Sequence, residues 1–176
     1  MLSFALEHDG PVAIRYPKAV APEIQREIPS VELGKAEVIS KGTDGTILSC
    51  GAMLSESIVA AARLADEGIS VGVVNTRFIK PLDEDVVSKA LRNSSFVVTV
   101  EEAALVGGFG SAVMEFAEQR RINTNHVRRL GIPDIFVEHG NRDELLAELG
   151  LDADGICRAC REMIDDKNRF SDAVVQ

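Results

Sequence analysis

Basic residues are scarce relative to acidic ones in this sequence. Its 176 residues contain 19 Lys and Arg against 28 Asp and Glu, which gives a formal net charge of -9 at pH 7. A nucleic-acid surface or an anionic membrane face requires the opposite excess. We therefore expect neither nucleic acid nor a membrane among the partners of this chain.

Cysteine and long apolar runs are also scarce. Three cysteines are an odd number for a chain of this size and do not predict a disulfide framework. No apolar run approaches the length that spans a bilayer, and MLSFALEHDG lacks the basic head and cleavage site of a secretory signal. The cysteine count favours a reducing compartment, which we expect to be the cytoplasm or an equivalent organelle interior.

Hydrophobic residues, in contrast, make up 45% of the chain, enough for one packed core. From Gly34 onward, β-rich runs alternate with helical periodicity, and strands are predicted over residues 35–40, 46–51, 69–76, 96–100 and 126–132. This alternation predicts an α/β fold, a three-layer sandwich with a mostly parallel central sheet.

Helix signals fill the gaps between these strands. Asp83 and Asn141 stand where N-caps are expected, before helices that begin near residues 84 and 142. The first helix after a strand is expected to bury the stripe Ile58, Ala61, Ala62 and Ala65. The last predicted helix carries its own apolar stripe, formed by Ile156, Cys160, Met163 and Ile164.

The chain before Gly34 has a different character. Residues 1–9 carry a helical stripe without an N-cap, residues 12–14 are a short predicted strand that Pro17 stops, and residues 19–32 have the composition of a linker. The missing cap suggests that the chain is a piece of a longer protein. We divide it into the end of a preceding domain (1–18), a linker (19–32), an α/β domain (33–167) and a tail expected to be disordered (168–176).

The segment from Ser95 to Phe116 is the first place to look for function. A buried strand leads into Glu101 and Glu102, then into a glycine loop and a helix. Ligands of an open parallel sheet gather at the carboxyl ends of its strands. The two carboxylates point to opposite sides of the strand, so we expect no acid/base pair and instead expect one of them to face a helix N-terminus or a partner's backbone amides.

The glycine loop contains Gly107, Gly108 and Gly110. A dinucleotide-binding fingerprint would need a small residue at position 113, where Val stands, and no P-loop is present. Nucleotide binding is therefore disfavoured. The interpretation we favour is that the glycines allow a helix N-terminus and an adjoining chain to approach closely.

Other candidate residues are weaker. Cys157 and Cys160 form a lone C-x-x-C inside a helical pattern, which favours packing over redox or zinc chemistry. His139, in a turn beside a glutamate, is a candidate general base or hydrogen-bond donor, although a structural role is favoured. Arg15 and Lys18 form a local basic spot that suits a phosphate or, equally well, a surface ion pair.

Five motifs taken together resemble one family: AIRYPKA, GKAEVISKG, VVNTRFIKPLDED, TVEEAALVGGFGSAV and LGIPDIFVEHGNRDELLAELGLDADGI. They are similar to the C-terminal domain of the 1-deoxy-D-xylulose-5-phosphate synthases, thiamine-diphosphate enzymes of the transketolase family. The resemblance runs from Gly10 to about Ile156. Pyruvate dehydrogenase β subunits contain a related domain that agrees less well and remain an alternative.

The resemblance implies an enzyme that condenses pyruvate with glyceraldehyde 3-phosphate and releases carbon dioxide. Its product feeds the biosynthesis of isoprenoids, thiamine and pyridoxal. Thiamine diphosphate and Mg²⁺ would be held by two preceding domains, one of which, the pyrimidine-binding domain, would end in residues 1–18. This chain would then hold no catalytic, cofactor or metal-binding residue, would be inactive alone, and would serve assembly with the remainder of the synthase chain and of a homodimer.

Residue roles follow from the same resemblance. Arg15 matches the arginine of the family's R-Y-P-R-G stretch and is expected to grip the phosphate of the acceptor aldehyde, while Lys18 and Ala19 stand where Arg and Gly are usual. The glycine loop, Glu102 and, with less support, His139 would lie at a contact between subunits or domains. A second hypothesis is a free-standing module that binds anions with its glycine loop.

Overall fold

The computed structural model describes residues 1–20, 27 and 29–174, with side chains described as far as Asp166. Its five strands are β1 (Glu37–Ser40), β2 (Gly45–Ser49), β3 (Val71–Asn75), β4 (Phe96–Ala104) and β5 (Val127–Ile132). Its α-helices are α1 (Leu2–Glu7), α2 (Leu54–Asp66), α3 (Glu84–Asn93), α4 (Phe109–Gln119), α5 (Arg142–Glu148) and α6 (Ala153–Val174), and a 3₁₀ turn, Gly51–Met53, precedes α2.

The five strands form one sheet in the order β1-β3-β2-β4-β5. The three pairings β2·β3, β2·β4 and β4·β5 are parallel, and only the edge strand β1 runs antiparallel to its neighbour β3. The predicted α/β fold with a mostly parallel sheet is therefore confirmed. No helix in the described part of the chain is both long and apolar enough to cross a membrane.

Helices cover both faces of the sheet because neighbouring strand residues alternate between two cores. Ile47 and Val98 face one core, which helices α2 and α6 close, whereas Leu48 and Val97 face a second core closed by α3 and α4. Strand β4 is buried on both faces, as its near-continuous apolar run predicts. The result is the expected three-layer arrangement.

The two predicted N-caps are confirmed. The Asp83 carboxylate accepts a hydrogen bond from the Val86 amide of α3 at 3.1 Å, and the Asn141 side chain accepts one from the Asp143 amide of α5 at 2.9 Å. Leu82, which precedes the cap Asp83, packs against the second core, to which Val87 of α3 belongs; apolar residues at these two positions form the pattern of a hydrophobic staple.

Two of the sequence-based expectations are wrong in detail. Residues 12–14 form no strand, because a strand requires a neighbour to pair with and no described strand lies beside this segment. Helix α2 buries Leu54, Ser57, Ala60 and Leu64 rather than the alanine stripe, and Ala62 and Ala65 are exposed. Both stripes fit the helical period, and packing against the sheet selects the face that carries Leu54 and Leu64.

Element lengths also differ from the prediction. Strand β4 continues past residue 100 and includes both Glu101 and Glu102. Helix α6 continues to Val174, so residues 168–174 are helical where an irregular tail was expected. The end of that tail, residues 175 and 176, and half of the expected linker, residues 21–26 and 28, lie outside the described residues.

Candidate functional site at the carboxyl edge of the sheet

A cavity of about 800 Å³ lies where the parallel strands β2, β3 and β4 end, between this edge and the N-terminal segment. Its wall includes Arg15 from that segment and Cys50, Arg77, Glu101 and Glu102 from the strand ends. Open parallel sheets bind their ligands at this edge, and the sequence analysis expected the functional site there.

Aromatic contacts seat the N-terminal segment against the body of the domain. Phe4 of α1 stacks on His8 with ring centroids 5.3 Å apart and meets Phe78 edge to face at 5.4 Å. Phe78 belongs to the loop that follows β3 and is buried. The Phe4–Phe78 contact thus joins the N-terminal segment to the loop after β3.

Arg15 lies at the mouth of the cavity and is exposed. Its Nη2 donates a hydrogen bond to the backbone carbonyl oxygen of Glu102 at 3.0 Å. No carboxylate among the described residues forms an ion pair with this guanidinium, so the surface ion pair considered for Arg15 is not found there. Among the described residues no other acceptor engages this planar guanidinium, so its remaining N–H groups could donate to an anion.

The Glu101 side chain is 2% exposed and caps helix α4. Its two carboxylate oxygens accept hydrogen bonds from the amides of Phe109 and Gly110, both at 2.7 Å. The expectation that one of the two glutamates faces a helix N-terminus is confirmed. A carboxylate there also satisfies orphan N–H groups and complements the helix dipole.

The glycines make room for this carboxylate. A Cβ on Gly108 would collide with the Glu101 carboxylate and the carbonyl of Ala104, and a Cβ on Gly110 would lie 2.8 Å from the Thr99 hydroxyl. Gly107 has a φ of +74°, in the left-handed region. The geometry supports the close-approach interpretation of the loop, since the N-terminus of α4 already holds an anion of its own chain.

Glu102 points to the other side of β4, as the alternation along a strand requires. Arg142 of α5 holds its carboxylate bidentately, with Nε and Nη2 donating at 2.8 and 2.6 Å. The hydrogen bond to Glu102 raises the pKa of Arg142 above its ordinary value. Glu101 and Glu102 therefore serve different partners and do not form an acid/base pair.

Arg77 is a part of this edge that the sequence did not single out. It follows β3 with a φ of +53° and forms an ion pair with Glu37 of β1 at 2.8 Å, with only 7% and 9% of the two side chains exposed. Its Nη1 also donates to the carbonyl of Ser30 at 3.2 Å, which ties the end of the linker to the sheet. The sequence offers no period or spacing that pairs Arg77 with a residue 40 positions earlier.

The other candidates lie away from the cavity or in the core. His139 is exposed on the loop between β5 and α5. Cys157 and Cys160 are buried in the core under α6, where burial raises the pKa of both thiols and takes that of Cys160 to about 12. Both side chains pack inside this core, as the packing interpretation of the C-x-x-C expects.

Cys50, which the sequence did not point out, lies in the wall of the cavity where β2 ends. It is half-buried, and its pKa is raised by burial and by the nearby Glu101 carboxylate. No three His, Cys, Asp or Glu side chains cluster as a metal site within the described residues.

The fold and the sequence identify the class of domain. Residues 34–156 match the family described as Transketolase, C-terminal domain, and the chain belongs to that family. It is 51% identical over 162 residues to the 1-deoxy-D-xylulose-5-phosphate synthase of Rhodopirellula baltica and 43% identical over 174 residues to that of Heliobacterium modesticaldum. These alignments cover 92% and 97% of this chain, which confirms the resemblance noted from its motifs.

The same alignments cover 25% and 27% of the two synthases, so the chain spans about a quarter of the length of these relatives. Among solved structures it is similar to a split gene transketolase in an inactive beta4 tetramer, with a TM-score of 0.73 and 32% identity over 82% of this chain and 46% of that one. A transketolase mutant from Pichia stipitis, with a TM-score of 0.56 and 17% identity over 75% of this chain and 18% of that one, supports the fold alone.

Proposed function

We propose that this chain is the C-terminal part of a 1-deoxy-D-xylulose-5-phosphate synthase. The observation that carries the proposal is the 51% identity with such a synthase along 92% of the chain. The whole enzyme would condense pyruvate with glyceraldehyde 3-phosphate, release carbon dioxide and supply isoprenoid, thiamine and pyridoxal biosynthesis. We place it in the cytoplasm, in keeping with its free cysteines.

Thiamine diphosphate and Mg²⁺ belong, in this proposal, to the remainder of the enzyme. The residues described here do not fit a metal–diphosphate site, because no carboxylate or imidazole cluster among them could ligate the ion. When bound elsewhere in the enzyme, the cofactor would supply the carbanion chemistry. The contribution of this chain is then to bind, orient and assemble.

Arg15 is the residue we propose for substrate binding. It lies at the mouth of the cavity, and only one of its N–H groups is engaged, by the Glu102 carbonyl, within the described structure. An exposed guanidinium oriented by a backbone carbonyl suits the phosphate of glyceraldehyde 3-phosphate.

An assembly role rests on apolar side chains that the isolated chain leaves uncovered. Val106 in the glycine loop and Ile135 and Phe136 in the loop after β5 are 73%, 62% and 92% exposed. Both loops follow strands at the carboxyl edge, beside Glu102. We propose that they meet the rest of the chain or a second subunit of a homodimer.

The phosphate role is tested with Arg15→Ala in the full-length enzyme. Loss of a charge-assisted bidentate contact costs about 2 to 3 kcal/mol, which corresponds to a roughly 30- to 150-fold increase in KM for glyceraldehyde 3-phosphate. The KM for pyruvate should change little. Steady-state kinetics with each substrate varied in turn measures both values.

Two further variants sharpen this test. Arg63→Ala removes an exposed arginine that pairs with Asp154 on helix α6 and should leave both KM values unchanged. Lys18→Ala removes the neighbouring exposed charge and should have the smaller effect of the two basic residues. An equal rise in the KM values of both substrates in Arg15→Ala would contradict the proposal. A larger rise in the KM for glyceraldehyde 3-phosphate in Lys18→Ala than in Arg15→Ala would assign the phosphate contact to Lys18 instead.

The alternative of a free-standing anion-binding module has less support. Its expected site, the N-terminus of α4, is filled by the Glu101 carboxylate. The pyruvate dehydrogenase β alternative is likewise disfavoured, since the two relatives compared above are both named 1-deoxy-D-xylulose-5-phosphate synthases.

A further inference from the structure

Glu101 is a buried carboxylate that makes its two hydrogen bonds to backbone amides of another element. Both oxygens are engaged at 2.7 Å, by the amides of Phe109 and Gly110. These bonds join the carboxyl end of β4 to the first turn of α4. Charge-assisted hydrogen bonds of this length are among the stronger ones in proteins, so they hold β4 and α4 in a fixed relative position.

The next residue along β4 carries the contact with Arg15. The Glu102 backbone carbonyl accepts the Arg15 hydrogen bond at 3.0 Å, while the Glu102 side chain is held from the opposite side by Arg142. The position of that carbonyl is therefore fixed by Glu101 on one face of the strand and by Arg142 on the other. A shift at either residue would redirect the Arg15 guanidinium.

We propose that Glu101 is a positioning residue for Arg15, acting through the Glu102 carbonyl. The inference rests on the phosphate role proposed above for Arg15, and it adds a residue that touches no substrate. The proposed role requires a carboxylate at position 101. A glutamine at this position could accept only one of the two amide hydrogens, because its NH₂ group would face the other as a second donor.

Asp83 offers a matched control elsewhere in the chain. It is also a buried carboxylate, 5% exposed, and it accepts hydrogen bonds from two backbone amides, those of Val86 at 3.1 Å and Ala36 at 2.9 Å. It caps α3 and is not part of the cavity wall. Asp83→Asn should therefore lower stability without altering the direction of Arg15.

The experiment compares Glu101→Gln with Asp83→Asn in the full-length enzyme by two readouts. The first is limited trypsin digestion, in which mass spectrometry quantifies cleavage after Arg15 relative to cleavage after the exposed Lys18. Freeing the guanidinium from the Glu102 carbonyl should make this ratio rise about threefold in Glu101→Gln and leave it unchanged in Asp83→Asn. The ratio does not depend on catalysis.

The second readout is the KM for each substrate, with and without Arg15→Ala. Glu101→Gln should raise the KM for glyceraldehyde 3-phosphate about fivefold, leave that for pyruvate unchanged, and add nothing in the Arg15→Ala background. Asp83→Asn should change neither KM.

The outcomes separate the two proposals. An unchanged cleavage ratio in Glu101→Gln, or the same rise in Asp83→Asn, overturns the positioning role whatever the kinetics. A raised ratio without any change in KM supports the positioning of Arg15 and overturns the proposed phosphate contact. Additive effects of Glu101→Gln and Arg15→Ala on KM would also overturn the inference, because a residue that acts through Arg15 has nothing to act on once Arg15 is gone.

Discussion

At the scale of single residues, the two most buried charge interactions of this edge differ in what they join. Arg77, which follows β3, and Glu37 of β1 pair side chain to side chain, with less than a tenth of each side chain exposed. Glu101 instead binds backbone amides of α4. Removal of the guanidinium is costly because Glu37 stays buried without its counter-ion, and the Asn75 amide that also donates to it at 3.3 Å carries no charge.

We expect Arg77→Met to destabilise the chain by about 3 kcal/mol, since it keeps the aliphatic stem but leaves the Glu37 carboxylate buried without its guanidinium. Urea unfolding followed by circular dichroism measures this change. The matched control is Arg63→Met, which breaks an ion pair whose side chains are 49% and 79% exposed and should cost less than about 1 kcal/mol. Equal losses in the two variants would show that burial adds nothing to the Arg77 pair.

At the scale of elements, the unit formed by β4, the glycine loop and α4 has little space for a side chain at Gly110. Gly110 lies in the first turn of α4, where intrinsic propensity favours Ala by about 1 kcal/mol. A Cβ there would approach the Thr99 hydroxyl to 2.8 Å and the Arg129 Cδ to 3.0 Å. Packing and propensity therefore predict opposite signs for the same substitution.

We expect packing to prevail, so that Gly110→Ala lowers the free energy of unfolding by about 2 kcal/mol. The comparison is Gly107→Ala, which meets no atom within 4 Å but retains a φ of +74°. It should cost about 1 kcal/mol from the left-handed backbone alone. Thermal unfolding of both variants provides the test, and a stabilised Gly110→Ala would show that the helix shifts to admit the methyl group.

We expect helix α6 to make a pH-dependent contribution to the free energy of unfolding through Cys160. Burial raises the pKa of this thiol from 9.0 to about 12, whereas the unfolded thiol titrates near 9.0. Above pH 9 the unfolded chain releases a proton that the folded chain keeps. The contribution is therefore complete below about pH 9 and is lost as the pH rises toward 12, with a slope of up to about 1.4 kcal/mol per pH unit.

Urea unfolding between pH 8 and pH 10.5, values chosen to bracket the thiol's ordinary pKa, tests this prediction. Cys160→Ala should flatten the alkaline decline in the free energy of unfolding. Ile156→Val, a truncation in the same core without an ionisable group, should lower stability at every pH while keeping the original slope. An unchanged slope in Cys160→Ala would assign the alkaline decline to other groups.

At the scale of the whole molecule, the proposed synthase divides its work between this chain and the rest of the enzyme. We expect the chain alone, supplied with thiamine diphosphate and Mg²⁺, to release no carbon dioxide from pyruvate, because the described residues provide no cluster for the metal. Co-expression with the remainder of the enzyme as a second polypeptide should restore release. Turnover by the chain alone, measured with carboxyl-labelled pyruvate, would overturn this division.

Much of the fold could be predicted from local patterns. The alternation of β-rich runs with helical stripes, the caps Asp83 and Asn141, and the apolar run of β4 depend on interactions between near neighbours in the chain, and near neighbours are visible in a sequence. The expectations that the structure overturns depend on contacts between elements instead. The buried face of α2 was misassigned because an alanine stripe and a leucine stripe both fit the helical period, and only contact with the sheet chooses between them.

The sequence by itself determined the order of the elements, the acidic end of β4, the glycine loop and, through its motifs, the family. Tertiary structure alone decided which glutamate caps α4 and which meets Arg142, and that Arg15 rests on the Glu102 carbonyl 87 residues away. It alone paired Arg77 with Glu37. The physical reason is that these contacts join residues far apart in the chain, whose approach depends on how the strands order themselves in the sheet rather than on any local periodicity.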